Sequence, residues 1–297
     1  MKYFFFLLAA SLFSVTYGQE KHAFRIFTGE GKRADFGDIM RTVTKADVVF
    51  FGELHDNPIA HWMELEITKG LYNVKGKDLI LAAEMFETDN QLLIDEYFEG
   101  LIKESSFESE ARLWKNYKTD YKPLLNFARD SGLKFVASNI PRRYAAAVAS
   151  GGFEALEKFS AASLDYIAPL PMEYDPDLPC YKDMLSMGSS IGGPMAKNVS
   201  ENLPKAQAVK DATMAYSIAR YRKASNTVIH FNGSYHSARH MGIIWYLNRY
   251  AKGLKITTIT TVMQQDIRKM DKEYAGEADF IIVIPSSMTR TYSGSDQ

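Results

Sequence analysis

The residues of this chain whose types and placement point to chemistry are Glu53, His55, Glu84, Asn232 and His236. Glu53 and His55 lie in Gly52-Glu53-Leu54-His55-Asp56-Asn57, directly after the apolar run Val48-Val49-Phe50-Phe51. Asn232 and His236 lie in Asn232-Gly233-Ser234-Tyr235-His236, after the run at 227–231. Each segment reads as a buried strand, then a glycine where the backbone needs unusual φ/ψ, then a histidine near the start of a helix. Glu84 directly follows the run at 79–83, where a carboxylate is costly unless it is paired or exposed in a cleft. Asn139 and Arg142 follow a further run at 134–138, and the arginine can pair with such a carboxylate or hold an anionic ligand. Imidazoles and carboxylates in one pocket can do acid–base catalysis. They can equally form a mixed N/O site for a divalent metal. Glu53, His55, Glu84 and His236 are therefore candidates for either role. The structural alternative is that Glu53 and Asp56 cap the next helix and His55 is a turn residue. No Gly-x-Ser-x-Gly, Gly-x-Gly-x-x-Gly, His-Glu-x-x-His or paired Cys-x-x-Cys is present, so those nucleophile, dinucleotide and zinc motifs play no part.

These residues need a scaffold that brings strand ends together. Six apolar, β-branched-rich runs, at 47–51, 79–83, 134–138, 227–231, 256–262 and 280–284, read as strands buried on both faces. Helical patterns fill the gaps. Asn57-Pro58 opens one as N-cap and first-turn proline, with Ile59, Trp62, Met63, Ile67 and Leu71 on its apolar face. Asp89 is placed to cap a second, and 205–221 and 236–250 are further candidates. This alternation predicts an α/β fold: a mainly parallel sheet flanked by helices, with a smaller helical or irregular subdomain. The subdomain is assigned to 164–199, rich in Pro, Gly, Met and Tyr, as an insertion or a lid. In an open α/β sheet, ligands sit beyond the carboxyl ends of the strands, which is where the candidate residues lie.

Composition narrows the class. The 297 residues are 46% hydrophobic and 24% charged with a net charge of −1, and no basic run gives the footprint of a nucleic-acid binder. Residues 1–18 read as a signal peptide: one early lysine, an apolar stretch at 4–15, and small residues Thr16 and Gly18 before a cleavage point at Gln19. The main domain is assigned to 19–285 and a flexible tail to 286–297. Lone Cys180 cannot form an internal disulfide, and no cysteine near the cleavage point offers a lipid attachment. The expected location is the periplasm or cell envelope.

Phe51-Gly52-Glu53-Leu54-His55-Asp56-Asn57-Pro58 resembles the opening motif of the ChaN-like haem-binding uptake family, in the Tiki/erythromycin-esterase-like superfamily. Five later segments follow the same pattern in the same order: Glu84-Met85-Phe86 with Gln91, Tyr121-Lys122-Pro123-Leu124, Asn139-Ile140-Pro141-Arg142, Asp211-Ala212-Thr213-Met214-Ala215, and Asn232-Gly233-Ser234-Tyr235-His236. The resemblance covers roughly 45–250. It implies an α/β domain with a smaller helical part. It also implies haem binding, with two haems stacked face to face across a homodimer and a tyrosine on each iron. Iron acquisition at the bacterial envelope follows, with outer-membrane haem uptake components as partners. Tyr121 is the axial tyrosine this implies, with Tyr117 and Tyr181 as competitors; Arg142 and Asn232 are expected beside it at the haem. The superfamily also contains hydrolases with equivalent glutamates and histidines, so a secreted or periplasmic hydrolase is the alternative function. The family's best-known members are lipoproteins, a property that does not carry over to a chain without the lipidation cysteine.

Overall fold

The computed structural model describes residues 21–188 and 194–292, with side chains described outside 186–200. The expected signal peptide lies outside the described residues. Eight strands form one sheet: β1 (Arg25–Thr28), β2 (Arg33–Ala34), β3 (Val48–Glu53), β4 (Leu79–Glu87), β5 (Lys134–Asn139), β6 (Thr227–Gly233), β7 (Ile256–Gln264) and β8 (Phe280–Pro285). Their order is β2-β1-β8-β7-β3-β6-β4-β5. The strands from β8 to β5 are parallel; β1 and β2 add an antiparallel edge. All six expected strands are present. The β1–β2 edge was not expected, because runs of four and two residues carry too little pattern.

The helices are α1 (Phe36–Val43), α2 (Pro58–Lys75), α3 (Gln91–Phe98), α4 (Glu104–Glu110), α5 (Lys122–Asp130), α6 (Arg142–Gly151), α7 (Ala161–Leu164), α8 (Pro179–Gly188), α9 (Pro194–Tyr221) and α10 (Ile243–Tyr250). They cover both sheet faces. Val49, Phe51, Leu81 and Phe231 pack against α1, α2, α3 and α5 on one side. Val48, Phe50, Ala82 and Val228 pack against α8, α9 and α10 on the other. Burial on both faces explains why the central strands read as unbroken apolar runs. Among the described residues, no helix is long and apolar enough to cross a membrane.

Several local expectations change. Asn57 caps α2 as expected, accepting from the Ile59 and Ala60 amides at 3.0 and 3.3 Å, with Pro58 in the first turn. Trp62, placed on the apolar face, is 48% exposed. Asp89 caps nothing; α3 follows a 3₁₀ turn, and Asp89 pairs with Arg112 and Arg143. The helix expected from 236 begins only at Ile243, because Arg239 and His240 take left-handed φ of 54° and 57°. In the 164–199 stretch, α8 seats Cys180 and Tyr181 in the core. Residues 286–292, expected to begin a flexible tail, fold back: the Thr291 amide donates to the Asp56 carbonyl at 2.9 Å, and Arg290 pairs with Asp56 at 2.7 Å.

Candidate functional site

The chain leaves β3 toward β4 and β5, returns as β6 between β3 and β4, then crosses to β7 and β8 on the far side. The carboxyl ends of β3, β6 and β4 therefore meet at the switch in strand order, where open α/β sheets hold ligands. Two corrections follow. Glu53 and Glu84 do not follow their strands; they lie inside β3 and β4. At Glu84 the pairing of β4 with β5 shifts register between Ala83 and Glu87, a bulge that re-aims the side chain toward β6. The glycines also act differently from expectation. Neither Gly52 nor Gly233 has positive φ. They supply room: a Cβ on Gly52 would lie 2.9 Å from Ser234 Cα, and one on Gly233 would lie 2.7 Å from His55 Nε2 and 3.6 Å from Glu84 Oε2.

That close approach unites the site. His55 Nδ1 lies 2.5 Å from Glu53 Oε1, and its Nε2 lies over Gly233 beside Glu84. Glu84 accepts the Gly233 amide at 2.8 Å and meets His236 Nε2 at 3.2 Å. The other His236 nitrogen is held by Asp211, which takes the Tyr181 hydroxyl at 2.7 Å. On the opposite side of Glu53, Oε1 also accepts the Tyr121 hydroxyl at 2.9 Å, and Oε2 lies 3.1 Å from His61 Nδ1. His61 contacts Glu64 at 3.2 Å. Its Nε2 meets the His55 carbonyl at 3.2 Å and Asp120 at 3.4 Å. Asn116 also donates to that carbonyl, at 2.8 Å, from the entry to a π-helical turn at Tyr117–Tyr121. Glu53, His55, Glu84 and His236 thus converge as expected.

Charge is distributed unevenly. Burial opposes ionisation of Glu53 and Glu84, but His61 and His55 hold the first, and His236 and His55 the second, well below the usual carboxylate range. Burial also works against charged imidazoles. Glu53 and Glu64 overcome it at His61, pushed up to about 11; Glu84 and Asp211 overcome it at His236, pushed up to about 10. Burial and the neighbouring Glu53 raise Glu64 well above the usual carboxylate range, and burial raises Asp211. His230, fully buried, is driven down to about 4 by desolvation.

Only part of this constellation faces solvent. The His55 side chain is 30% exposed, whereas those of Glu53, Glu84 and His236 are 0%, 6% and 7% exposed. The expected catalytic set therefore reaches the surface mainly through His55. Among the described residues, the acids and imidazoles whose ligand atoms converge within 4.8 Å are Glu53, His61 and Glu64. This cluster shares only Glu53 with the expected metal set. His55 turns one nitrogen to Glu53, and His236 has an acid on each side of its ring, so the four do not surround one point. His61, Glu64, Asp120 and Asp211 carried no role in the sequence reading. A usable signal existed for the first two: histidine and glutamate three apart on the buried face of α2.

The haem residues also move. Tyr121 is buried at 1% exposure, bonded to Glu53, and burial with that carboxylate drives its ionisation far above the normal phenol range. Tyr117 and Tyr181 are likewise buried, with desolvation raising both. At all three, burial favours the neutral phenol and shields it from solvent. Asn232 is fully buried and binds His230, Ser237 and the Gly233 carbonyl, so it props the strand end rather than a ligand. Arg142 does reach solvent. It lines a cleft of about 440 Å³ with Ala111, Leu113, Trp114, Lys115 and Tyr292, at the carboxyl ends of β4 and β5. Trp114 packs edge-on against His55 with ring centroids 4.9 Å apart, which joins the cleft to the polar site.

Comparison with known proteins fits this architecture. The structure of ChaN from Campylobacter jejuni, described as binding haem cofacially, superposes with a TM-score of 0.68 at 20% identity, covering 88% of this chain and 96% of that one. A succinoglycan biosynthesis protein superposes at 0.50 with 12% identity, over 84% and 90% of the two chains. The chloroplastic protein RETICULATA-RELATED 5 of Arabidopsis thaliana is 26% identical over 126 residues, 40% of this chain; the chain spans 17% of that protein's length. The family model for haem-binding uptake proteins, Tiki superfamily, ChaN, matches residues 39–247. The chain belongs to the ChaN family of haem-binding uptake proteins.

Proposed function

We propose that this protein binds haem in the cleft beside His55 and serves bacterial iron uptake as an exported protein. The observation that carries the reading is the cleft itself: apolar Ala111, Leu113 and Trp114 along one wall, and Arg112, Lys115 and Arg142 around it. A haem needs an apolar slot, a ligand for iron and cations for its propionates. Arg142 and Lys115 would meet the propionates. Tyr292, at the cleft wall, would offer the phenol oxygen, a ligand type known on haem iron. Bound haem would supply a ferric centre to be carried; the chain's own residues supply the slot, the charges and an enclosed polar floor. Family membership and the haem-binding C. jejuni relative support the reading. Export rests on the apolar stretch at 4–15, and a homodimer with outer-membrane haem uptake partners extends the family likeness to this chain.

Haemin titration tests it. A shifted Soret band with saturable binding is expected. Tyr292→Phe should change the band and weaken binding at least tenfold, and Arg142→Ala should weaken it severalfold. No saturable band in the wild type overturns the reading. A band lost in Tyr121→Phe but kept in Tyr292→Phe transfers the iron to the interior tyrosine and overturns the cleft assignment.

A further inference from the structure

Two carboxylates of this protein turn toward one nitrogen of one buried ring. His61 Nδ1 lies 3.1 Å from Glu53 Oε2 and 3.2 Å from Glu64 Oε2. The opposite nitrogen meets the His55 carbonyl at 3.2 Å. A carbonyl only accepts, so Nε2 carries one hydrogen; without an ion Nδ1 carries the other and faces the two acids, and a cation bound at Nδ1 takes the place of that proton. Metal-bound histidines are held this way, with the far nitrogen fixed by a carbonyl or carboxylate; Asp120 stands by at 3.4 Å as a second acceptor. Glu53 is also pre-set. Its Oε1 takes the Tyr121 hydroxyl and His55, which leaves Oε2 facing inward.

A second observation points to a ligand. Glu64 Oε1 is buried and has no hydrogen-bond partner, and Glu53 Oε2 faces only the His61 ring. Native structures rarely leave such an atom unanswered without a reason, and a bound ion is one of the recognised reasons. The spacing agrees. A tetrahedral ion bonded at about 2.0–2.1 Å holds its ligand atoms roughly 3.3–3.4 Å apart, close to the separations given above. One imidazole with two carboxylates suits a first-row divalent ion; calcium and magnesium prefer all-oxygen shells.

We propose that Glu53, His61 and Glu64 form a buried site for one first-row divalent cation, with the unpartnered Glu64 oxygen available as a fourth donor. The ion ties the end of β3 to the second turn of α2 and thereby fixes the loop that carries His55. It is separate from the haem cleft and does not depend on haem binding.

The test strips the full-length protein with a chelator, dialyses it against micromolar Zn²⁺ or Mn²⁺, and counts bound metal by mass spectrometry. One equivalent is expected, with a rise in thermal midpoint. Co²⁺ should give the d–d absorption of a low-symmetry N/O site. Glu64→Gln, which keeps the shape of the side chain, should weaken binding at least 100-fold while far-UV circular dichroism and haemin titration stay unchanged. His61→Gln should behave likewise, and His240→Gln, at an exposed histidine, should keep the full equivalent. Substoichiometric metal in the wild type overturns the proposal, as does a full equivalent in both Glu64→Gln and His61→Gln.

Discussion

The two sides of the sheet hold the same parts in different arrangements. Facing α2, a ring sits with two acids and a tyrosine hydroxyl: His61 with Glu53, Glu64 and Tyr121. Facing α9, His236 sits with Glu84, Asp211 and Tyr181. At His236 each acid takes a different nitrogen, and the acids have further donors in the Gly233 amide and the Tyr181 hydroxyl. The ring there is a strut across the floor of the site. At His61 both acids crowd one nitrogen, and oxygen atoms are left over. Equal composition therefore gives a closed ion-pair chain on one face and an open coordination set on the other. Which nitrogen each acid meets decides the outcome.

The largest effect should separate the two acids by charge state. In chelator, Glu84→Gln removes a buried charge that His236 needs, and urea unfolding should report a loss of about 3–5 kcal/mol. Glu64→Gln under the same conditions should cost less than about 1 kcal/mol, because burial and Glu53 already favour the neutral form of that side chain. Equal losses would erase the distinction between strut and socket.

A pH experiment isolates the strut side next. His230 is neutral in the fold and joins Ser138 and Asn232 at 2.9 Å each, with Glu84 and His236 as its charged neighbours. Its ionisation is depressed, so the unfolded chain takes up a proton below about pH 6.5 while the native ring waits until about 4. Stability therefore falls as pH drops through that window. Relative to His230→Gln, the wild type should lose about 2–3 kcal/mol between pH 7 and 4.5. Parallel stability curves for the two proteins would refute a neutral buried ring.

The smallest effect tests the seam between the halves. Gly233→Ala places a methyl 2.7 Å from His55 Nε2 and 2.9 Å from Cε1. The backbone there, at φ −53°, tolerates alanine, so the cost is steric. A loss of about 1–3 kcal/mol in unfolding free energy is expected from displacing a ring already braced by Glu53 and Trp114. An unchanged midpoint would mean that His55 does not lie against β6.

Much of this was legible in the residues. Buried parallel strands announce themselves as unbroken apolar runs, and polar side chains ending several of them pointed to one rim. The pairings were not legible. Asp211 meets His236 across 25 residues and Tyr121 meets Glu53 across 68, and no local pattern encodes such contacts. His61 and Glu64 escape a reading of α2 by its apolar spacing, which puts Trp62 on the buried face and says nothing of the polar residues beside it. Tyr121 marks the opposite limit: its segment is recognisable in the sequence, but its burial at 1% exposure is a property of packing.

The position of β6 has a consequence for how the molecule is made. It fills the gap between β3 and β4, pairing Val48 with Val228 and Ile80 with the same residue. Until that late segment arrives, the two earlier strands have open backbone edges and no shared neighbour. Such distant pairing slows folding and leaves sticky intermediates. The nascent chain therefore stays unfinished at its centre until its last third emerges.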